Sequence, residues 1–407
     1  MKKTYFKLNR WNILVTEKET RKAVIYNLQT GDMIALDDDW REILEKLESG
    51  MAISDVENSK TEEIVKELIA RNMGNLYEKP VYEEKYRKGF LLPKMGYQSF
   101  PPTIDRCYIE LPALCDLGCD ICDFLKSLPC LCCTLKKPVE DVGHMIRVEF
   151  LKRVLELKPN NIIFHGGNPL LCLDELKELV DLCRRNSSST KVWVLVHWKH
   201  LDSCDASYLS GIAGETLFYV VLPLEDLLHE DGERIRSLLS NLKNCSRGVK
   251  LVILAKRRES EMIKKILTEI KGLSPMGFHI SYTLEEKDLE EFDNSSFLRI
   301  TPELFWKNFF HHPCLHGSLA LTSEGKLLPC PRMENEVLAN ISKDMNGFNE
   351  IFRNHVIDKY WDLNLGKIEH CKECAYRFGC YECRALELKV TGNLYGKKMC
   401  NKRRQVQ

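Results

Sequence analysis

Cys115-Asp-Leu-Gly-Cys119-Asp-Ile-Cys122 is a C-x3-C-x2-C triplet that follows an apolar, strand-like run, Cys107 to Leu111. Three thiolates this close in sequence can wrap three corners of a cubane iron–sulfur cluster and leave the fourth iron without a protein ligand. An iron with an open position can take a small molecule and pass it an electron. A second constellation, His165-Gly166-Gly167-Asn168-Pro169, comes directly after the apolar strand Ile162-Ile163-Phe164. Adjacent glycines at a strand end let the backbone approach a ligand and offer it amides and carbonyls. A third lies towards the C-terminus: Cys314, Cys330, then Cys371-x2-Cys374-x5-Cys380-x2-Cys383, and Cys400. Taken alone, the C-x2-C-x5-C-x2-C block is open to tetrahedral zinc as well as to iron–sulfur chemistry. Cys130-Leu-Cys132-Cys133 matches no known pattern and reads as an inert loop cluster, a redox or substrate-contacting element staying open. Cys107, Cys172, Cys183, Cys204 and Cys245 read as buried or incidental thiols.

The composition narrows the setting for these groups. The chain has 407 residues, enough for two or three domains with a sizeable core, so its 18 cysteines are not needed as staples. Lysine plus arginine equals aspartate plus glutamate at 59 each. Charge therefore gives no argument for nucleic acid or an acidic membrane as partner. The opening residues lack an apolar signal core, and no stretch is apolar and long enough to span a membrane. A cytoplasmic location is expected, and there a cysteine-rich chain binds metal or does redox chemistry rather than forming disulfides.

The elements that position these residues fall into segments. In residues 1–82, Ile13 to Val15, Ala23 to Tyr26 and Met33 to Leu36 read as strands, the last two joined by a turn containing Gly31. Asp37 to Asp39 can cap a helix that puts Trp40, Ile43, Leu44 and Leu47 on one face. A second helix near Thr61 to Arg71 turns Ile64, Val65, Leu68 and Ile69 inward. Residues 83–102 read as a linker. From 103 to 300, strand and helix patterns alternate: a helix over 146–157, strands 161–164 and 192–197, a helix over 173–184, a strand at 217–222, a helix over 232–242, a strand at 250–255, a helix over 260–270 and a strand at 278–282. Repeated β–α units imply six parallel strands with helical crossovers, and the triplet falls at the C-terminal end of the first. In residues 301–407, Leu319–Thr322 and Lys326–Leu328 read as a hairpin that brings Cys314 and Cys330 together.

Together, the triplet and the GGNP turn in a β/α chain resemble the radical S-adenosylmethionine superfamily. The resemblance implies a partial (β/α)6 barrel. Cys115, Cys119 and Cys122 would hold a [4Fe–4S] cluster and serve catalysis, and Gly166, Gly167, Asn168 and Pro169 would bind S-adenosylmethionine. Asn168 stands where that family usually has glutamate, and Ile121 where an aromatic residue is common. An amide still accepts and donates hydrogen bonds, so altered affinity is expected rather than lost function. Leu222-Pro223-Leu224-Glu225 departs from the family's Ser-Leu-Asp-Gly segment, so no ribose ligand is assigned. His229, Glu230 and Arg234 lie just beyond and read as surface residues or as lining of the site.

The C-terminal cysteines resemble a SPASM domain, which houses auxiliary clusters in radical S-adenosylmethionine maturases. By that resemblance Cys371, Cys374, Cys380 and Cys400 hold one [4Fe–4S] cluster, and Cys314, Cys330 and Cys383 a second with three thiolates, giving three clusters in all. The two-residue gap between Cys380 and Cys383 is one shorter than usual. Ala320 stands where some relatives supply a further cysteine, so the second auxiliary cluster has an open iron or takes a side chain such as His316. The N-terminal unit resembles a winged-helix RiPP recognition element of the PqqD-like kind; a generic winged helix or a structural cap remains open for it.

Recognition element, radical barrel and auxiliary-cluster domain in this order resemble maturases of ribosomally made, post-translationally modified peptides. The implied chemistry is reductive cleavage of S-adenosylmethionine, hydrogen abstraction from a precursor peptide, and an oxidative crosslink, either thioether or C–C/C–O. The partners implied are the precursor's leader, pairing as an added strand, and a flavodoxin or ferredoxin reductant. Two alternatives stay open: a maturase of a folded protein or small metabolite, and a catalytically silent peptide-binding partner.

Overall fold

In the computed structural model, the described residues are 3–17, 22–86, 102–112, 114–115, 117, 119, 125–126, 141–204, 211–228, 232–256, 276–284, 292–293, 295–297, 299–343 and 345–400. The first strand alternates half-buried and buried side chains, and the central strand of the N-terminal meander is buried throughout. β1 (Tyr5–Leu8) pairs antiparallel with β5 (Gly74–Tyr77), while β2 (Asn12–Thr16), β3 (Ala23–Asn27) and β4 (Met33–Leu36) form an antiparallel meander. Asp37 caps the helix Asp38–Glu48 by accepting from the Trp40 amide at 2.9 Å. Ile43, Leu44 and Leu47 of that helix and Ile64, Val65 and Leu68 of the helix Thr61–Ala70 share a core with Phe6, Leu8 and Ile25. Ile69, expected inside, is 38% exposed, because it falls outside the stripe that Ile64, Val65 and Leu68 define.

The central sheet has ten strands among the described residues. β6 (Arg106–Glu110), β8 (Asn161–His165), β9 (Lys191–His197), β10 (Leu217–Pro223), β11 (Gly248–Lys256) and β12 (Phe278–Leu284) run parallel in chain order. β7 (Leu125–Lys126) closes one edge antiparallel to β12. Residues two apart face the same way. Cys107, Ile109, Phe164, Val194, Val220 and Ile253 turn to the helix-covered face, where Leu151, Val154, Leu179, Val180, Ile235 and Leu239 of the crossover helices meet them. Each such aliphatic or aromatic side chain contributes about 1.5–3 kcal/mol on burial. The opposite face carries two smaller clusters, one with Tyr108, Ile163 and Trp193, the other with Leu195, Val221, Val252 and Leu254.

At the other edge the sheet runs on past residue 300. β14 (Ser318–Leu321) lies parallel to β6, and β15 (Lys326–Leu328) and β16 (Ala339–Asn340) follow it antiparallel. The C-terminal hairpin thus covers the edge of the strand that leads to the cysteine triplet. The remaining strands, β13 (Ser295–Phe297) and β17 (Cys380–Glu382), pair with each other.

The N-terminal unit packs on the cysteine-rich C-terminal segment. Tyr26 sits among Phe305, Ala375 and Phe378, and its hydroxyl donates to the Ala375 carbonyl at 2.6 Å. Glu17 accepts from the Ala375 amide at 2.8 Å, and Arg299 donates to the Thr30 carbonyl at 2.9 and 3.0 Å. The start of the segment read as a linker is also fixed. Tyr86 stacks on Trp11 with ring centroids 4.0 Å apart, and its carbonyl accepts from Trp306 Nε1 at 2.9 Å. Residues 87–101 lie outside the described residues, as does the helix expected over 260–270.

Candidate radical site and cysteine-rich centres

The end of β6 is held from two sides. Glu110, its last residue, accepts from the amide and hydroxyl of Ser323 in the hairpin turn, at 2.9 and 3.3 Å. One residue on, the Leu111 amide donates to the His165 carbonyl at the end of β8, at 2.7 Å. Gly166 then turns with φ of +114°, and a Cβ there would stand 2.5 Å from the Leu111 carbonyl oxygen. Only glycine fits this approach. Asn168 is buried, and its side chain accepts from the Leu170 amide at 3.2 Å, capping the short helix Pro169–Cys172. Gly167 and Pro169 are buried beside it. The GGNP turn thus lies at the same strand-end edge as the start of the cysteine loop.

Cys115 and Cys119 are half-buried. Cys119 packs against Leu195, Val221, Val252 and Leu254 on the face of the sheet away from the helices. Cys122 lies outside the described residues, as do Cys130, Cys132, Cys133, His229 and Glu230. Arg234 reaches an exposed ion pair with Asp202, donating from Nε at 2.9 Å, and so belongs to the surface.

Two residues that the sequence reading passed over stand next to the cysteines. Nε2 of His200 is 3.7 Å from Cys115 Sγ, and Nε2 of His197 is 4.0 Å from Cys119 Sγ. His197 ends β9, and His200 lies in the helix Trp198–Asp202 that follows directly. Trp198 Nε1 donates to Asp226 at 2.6 Å, fixing that turn. Burial, with His200 adding to it, pushes the His197 pKa down to about 4, so the ring is neutral at pH 7. The signal was there in the sequence: a His-x2-His pair at the C-terminal end of a parallel strand, the edge where such sheets bind ligands.

In the C-terminal segment, Cys314, Cys330 and Cys383 are buried, and Cys371, Cys374, Cys380 and Cys400 are half-buried. Burial pushes the Cys374 thiol up to about 12, with Glu17 and Cys400 acting in the same direction. Burial likewise raises Cys371, with Cys374 and Cys400 among the charges that add to it. The charges of Cys371, Cys374, Cys380 and Cys400 thus act on one another. Below them lies a buried charge network. Lys397 donates to Glu382 at 2.9 Å and to Glu387 at 2.7 Å, while Glu387 also accepts from the amides of Lys398 and Met399, just before Cys400. His312 takes the Cys314 amide on Nδ1 at 3.2 Å and donates from Nε2 to Glu382 at 3.0 Å. Burial alone would raise the Glu382 pKa, but Lys397 and Arg384 outweigh it and hold the carboxylate charged.

Ala320, in β14, is buried against Tyr108 and Leu328 and offers no ligand. His316 donates from Nδ1 to the Trp361 carbonyl at 2.9 Å, and its ring lies 3.9 Å from that of His311. That bond leaves Nε2 as the nitrogen with the lone pair, the arrangement that metal-binding histidines use. Among the described residues, no three His, Cys, Asp or Glu side chains already stand close enough together to hold a metal ion. The cysteine donors supply sulfur, the soft ligand that iron–sulfur clusters take. Cys107 and Cys183 are buried together on the helix-covered face, which raises both thiols, and Cys245 is exposed. Neither pattern serves a site.

The mixed α/β fold gathers glycines, thiols and imidazoles at the C-terminal edge of its parallel sheet, the edge where such sheets bind ligands. Comparison with solved structures finds chains of similar fold. The chain aligns with native anSMEcpe with bound AdoMet over 74% of its own length and 95% of that chain, at 15% identity and a TM-score of 0.51. A histidine-tagged form of anSMEcpe with bound AdoMet aligns over 92% of its chain, with a TM-score of 0.50. SuiB of Streptococcus suis, bound to precursor peptide SuiA, aligns over 98% of this chain and 99% of its own, at 12% identity and a TM-score of 0.48. No protein-family profile and no curated protein matches the sequence. The likeness to anSMEcpe shows the fold. Among the described residues, no helix is long and apolar enough to cross a membrane.

Proposed function

We propose that this chain is a radical S-adenosylmethionine enzyme that matures a ribosomally made peptide. The observation that carries the reading is the meeting of two strand ends: the cysteine loop starts from β6 where Gly166 of the GGNP turn approaches the Leu111 carbonyl. In this reading Cys115, Cys119 and Cys122 hold a [4Fe–4S] cluster. When reduced, that cluster supplies the single electron that cleaves bound S-adenosylmethionine. Gly166, Gly167, Asn168 and Pro169 receive the methionyl end through backbone groups that a side chain would block. Asn168 Oδ1 is already engaged by the Leu170 amide, so its NH2 group is what it offers a carboxylate. Leu195, Val221, Val252 and Leu254 line the adjoining face with apolar surface and exclude water from it.

The C-terminal cysteines fit two auxiliary clusters, Cys371/Cys374/Cys380/Cys400 and Cys314/Cys330/Cys383, with His316 suited to complete the second. The N-terminal meander suits leader binding by strand addition, β4 having a single strand neighbour, β3, among the described residues. The product is an oxidative crosslink, thioether or C–C/C–O, and the reductant is a flavodoxin or ferredoxin.

The test is anaerobic reconstitution with iron and sulfide counted in the wild type and in the Cys115→Ala/Cys119→Ala/Cys122→Ala variant. About twelve irons falling to about eight, with 5′-deoxyadenosine formed only by the wild type, is the expected result. Bound zinc, or iron unchanged by the triple substitution, overturns it.

A further inference from the structure

We propose that His197 and His200 are positioning residues for the radical-site cluster, donating hydrogen bonds to the sulfurs of Cys119 and Cys115 and so setting its reduction potential. The inference rests on the proposed function, because it takes those two cysteines as cluster ligands. The geometry is specific for His197. Its Nδ1 accepts the Lys199 amide at 3.2 Å, which leaves the ring proton on Nε2, the atom 4.0 Å from Cys119 Sγ. His200 presents Nε2 to Cys115 Sγ at 3.7 Å. Both rings are almost fully buried, and their centroids are 5.9 Å apart. They reach the cysteines from one strand end and the turn after it, so both rings are in place before any metal arrives. Hydrogen bonds to cluster sulfurs withdraw electron density and are one of the controls a protein has over cluster potential. Two such donors make the cluster easier to reduce than one surrounded only by apolar side chains. The companion side chains on this face, Leu195, Val221, Val252 and Leu254, offer no donor of their own.

The experiment is EPR-monitored potentiometry of the reconstituted full-length protein. It follows the cluster whose signal changes when S-adenosylmethionine is added. His197→Phe, which keeps a ring but has no N–H, is expected to move that midpoint to more negative potential. His197→Gln, whose amide nitrogen falls near the Nε2 position, is expected to stay close to wild type. His200→Phe should shift in the same direction as His197→Phe, while the auxiliary signals stay in place. Should His197→Phe fail to fold, judged by loss of the auxiliary signals, comparing His197→Gln with His197→Asn asks the same question, since asparagine places its amide near Nδ1. A midpoint that Phe leaves unchanged, or that Gln and Phe shift equally, overturns the inference while leaving the proposed function intact. Zinc in the wild-type site, held by the two cysteines and two histidines, overturns both and shows as metal content before any potential is read.

Discussion

At the scale of single residues, the site depends on positions where one atom more or less decides the outcome. Gly166 is one of them: its φ of +114° and the 2.5 Å approach to the Leu111 carbonyl leave no room for a methyl group. Gly166→Ala should cost about 1–3 kcal/mol in strain, read as a lower denaturation midpoint together with weakened S-adenosylmethionine binding. His279, on β12, is a residue of another kind. Burial and, secondarily, Lys250 push its pKa from 6.5 down to about 4. The unfolded chain therefore takes up the proton first. The contribution of this residue to stability is complete above pH 6.5 and is lost as the pH falls towards 4, with a slope of at most about 1.4 kcal/mol per pH unit. Urea unfolding across that window should show the slope, and His279→Gln should flatten it.

At the scale of elements, the loop that ends in Cys400 is held by charge rather than by packing alone. Lys397 stands between Glu382 and Glu387, and all three are buried. Lys397→Met removes the cation and leaves two carboxylates facing each other away from water, a change expected to cost about 3–5 kcal/mol. Chemical denaturation checks it. The double variant Lys397→Met/Glu387→Gln should recover part of the loss, because the second substitution removes one of the stranded charges. The hairpin β14–β15 works by the ladder instead. Its parallel pairing with β6 and the Ser323 bonds to Glu110 tie the strand before Cys115 to the C-terminal segment.

For the whole molecule, the main result is that the N-terminal unit docks on the cysteine-rich segment. Tyr26 and Glu17 grip Ala375, which follows Cys374 directly. Tyr26→Phe keeps the ring packing and deletes one buried hydrogen bond, worth about 1 kcal/mol. It should raise amide exchange around residue 375 with the iron content unchanged. A rise confined to residues 38–70 would mean instead that the N-terminal unit opens internally.

The cysteine triplet, the GGNP turn and the six β–α strands were legible in the sequence because each is a local pattern: ligand spacing, a glycine pair after an apolar run, and a hydrophobic period. Strands β2, β3 and β4 and the two N-terminal helices were legible for the same reason, down to the Asp37 cap, whereas β1 and β5 were not. What the chain order could not show is which distant elements meet. The hairpin after Cys314 reads as part of a separate domain, yet β14 joins the central sheet, since β6 offers an edge whose backbone groups need partners. His197 and His200 are a visible His-x2-His pair in the sequence, but only the fold shows that β9 ends beside the loop from β6 and brings them to Cys119 and Cys115. The Lys397 network draws on residues 312, 382, 384, 387 and 397, whose charges are tolerable only as a buried set. Sequence by itself determined the spacing of the cysteines and the parallel sheet, which depend on neighbours in the chain. Tertiary structure decided which thiols have hydrogen-bond donors and which unit covers which centre, because those contacts join residues from separate parts of the chain.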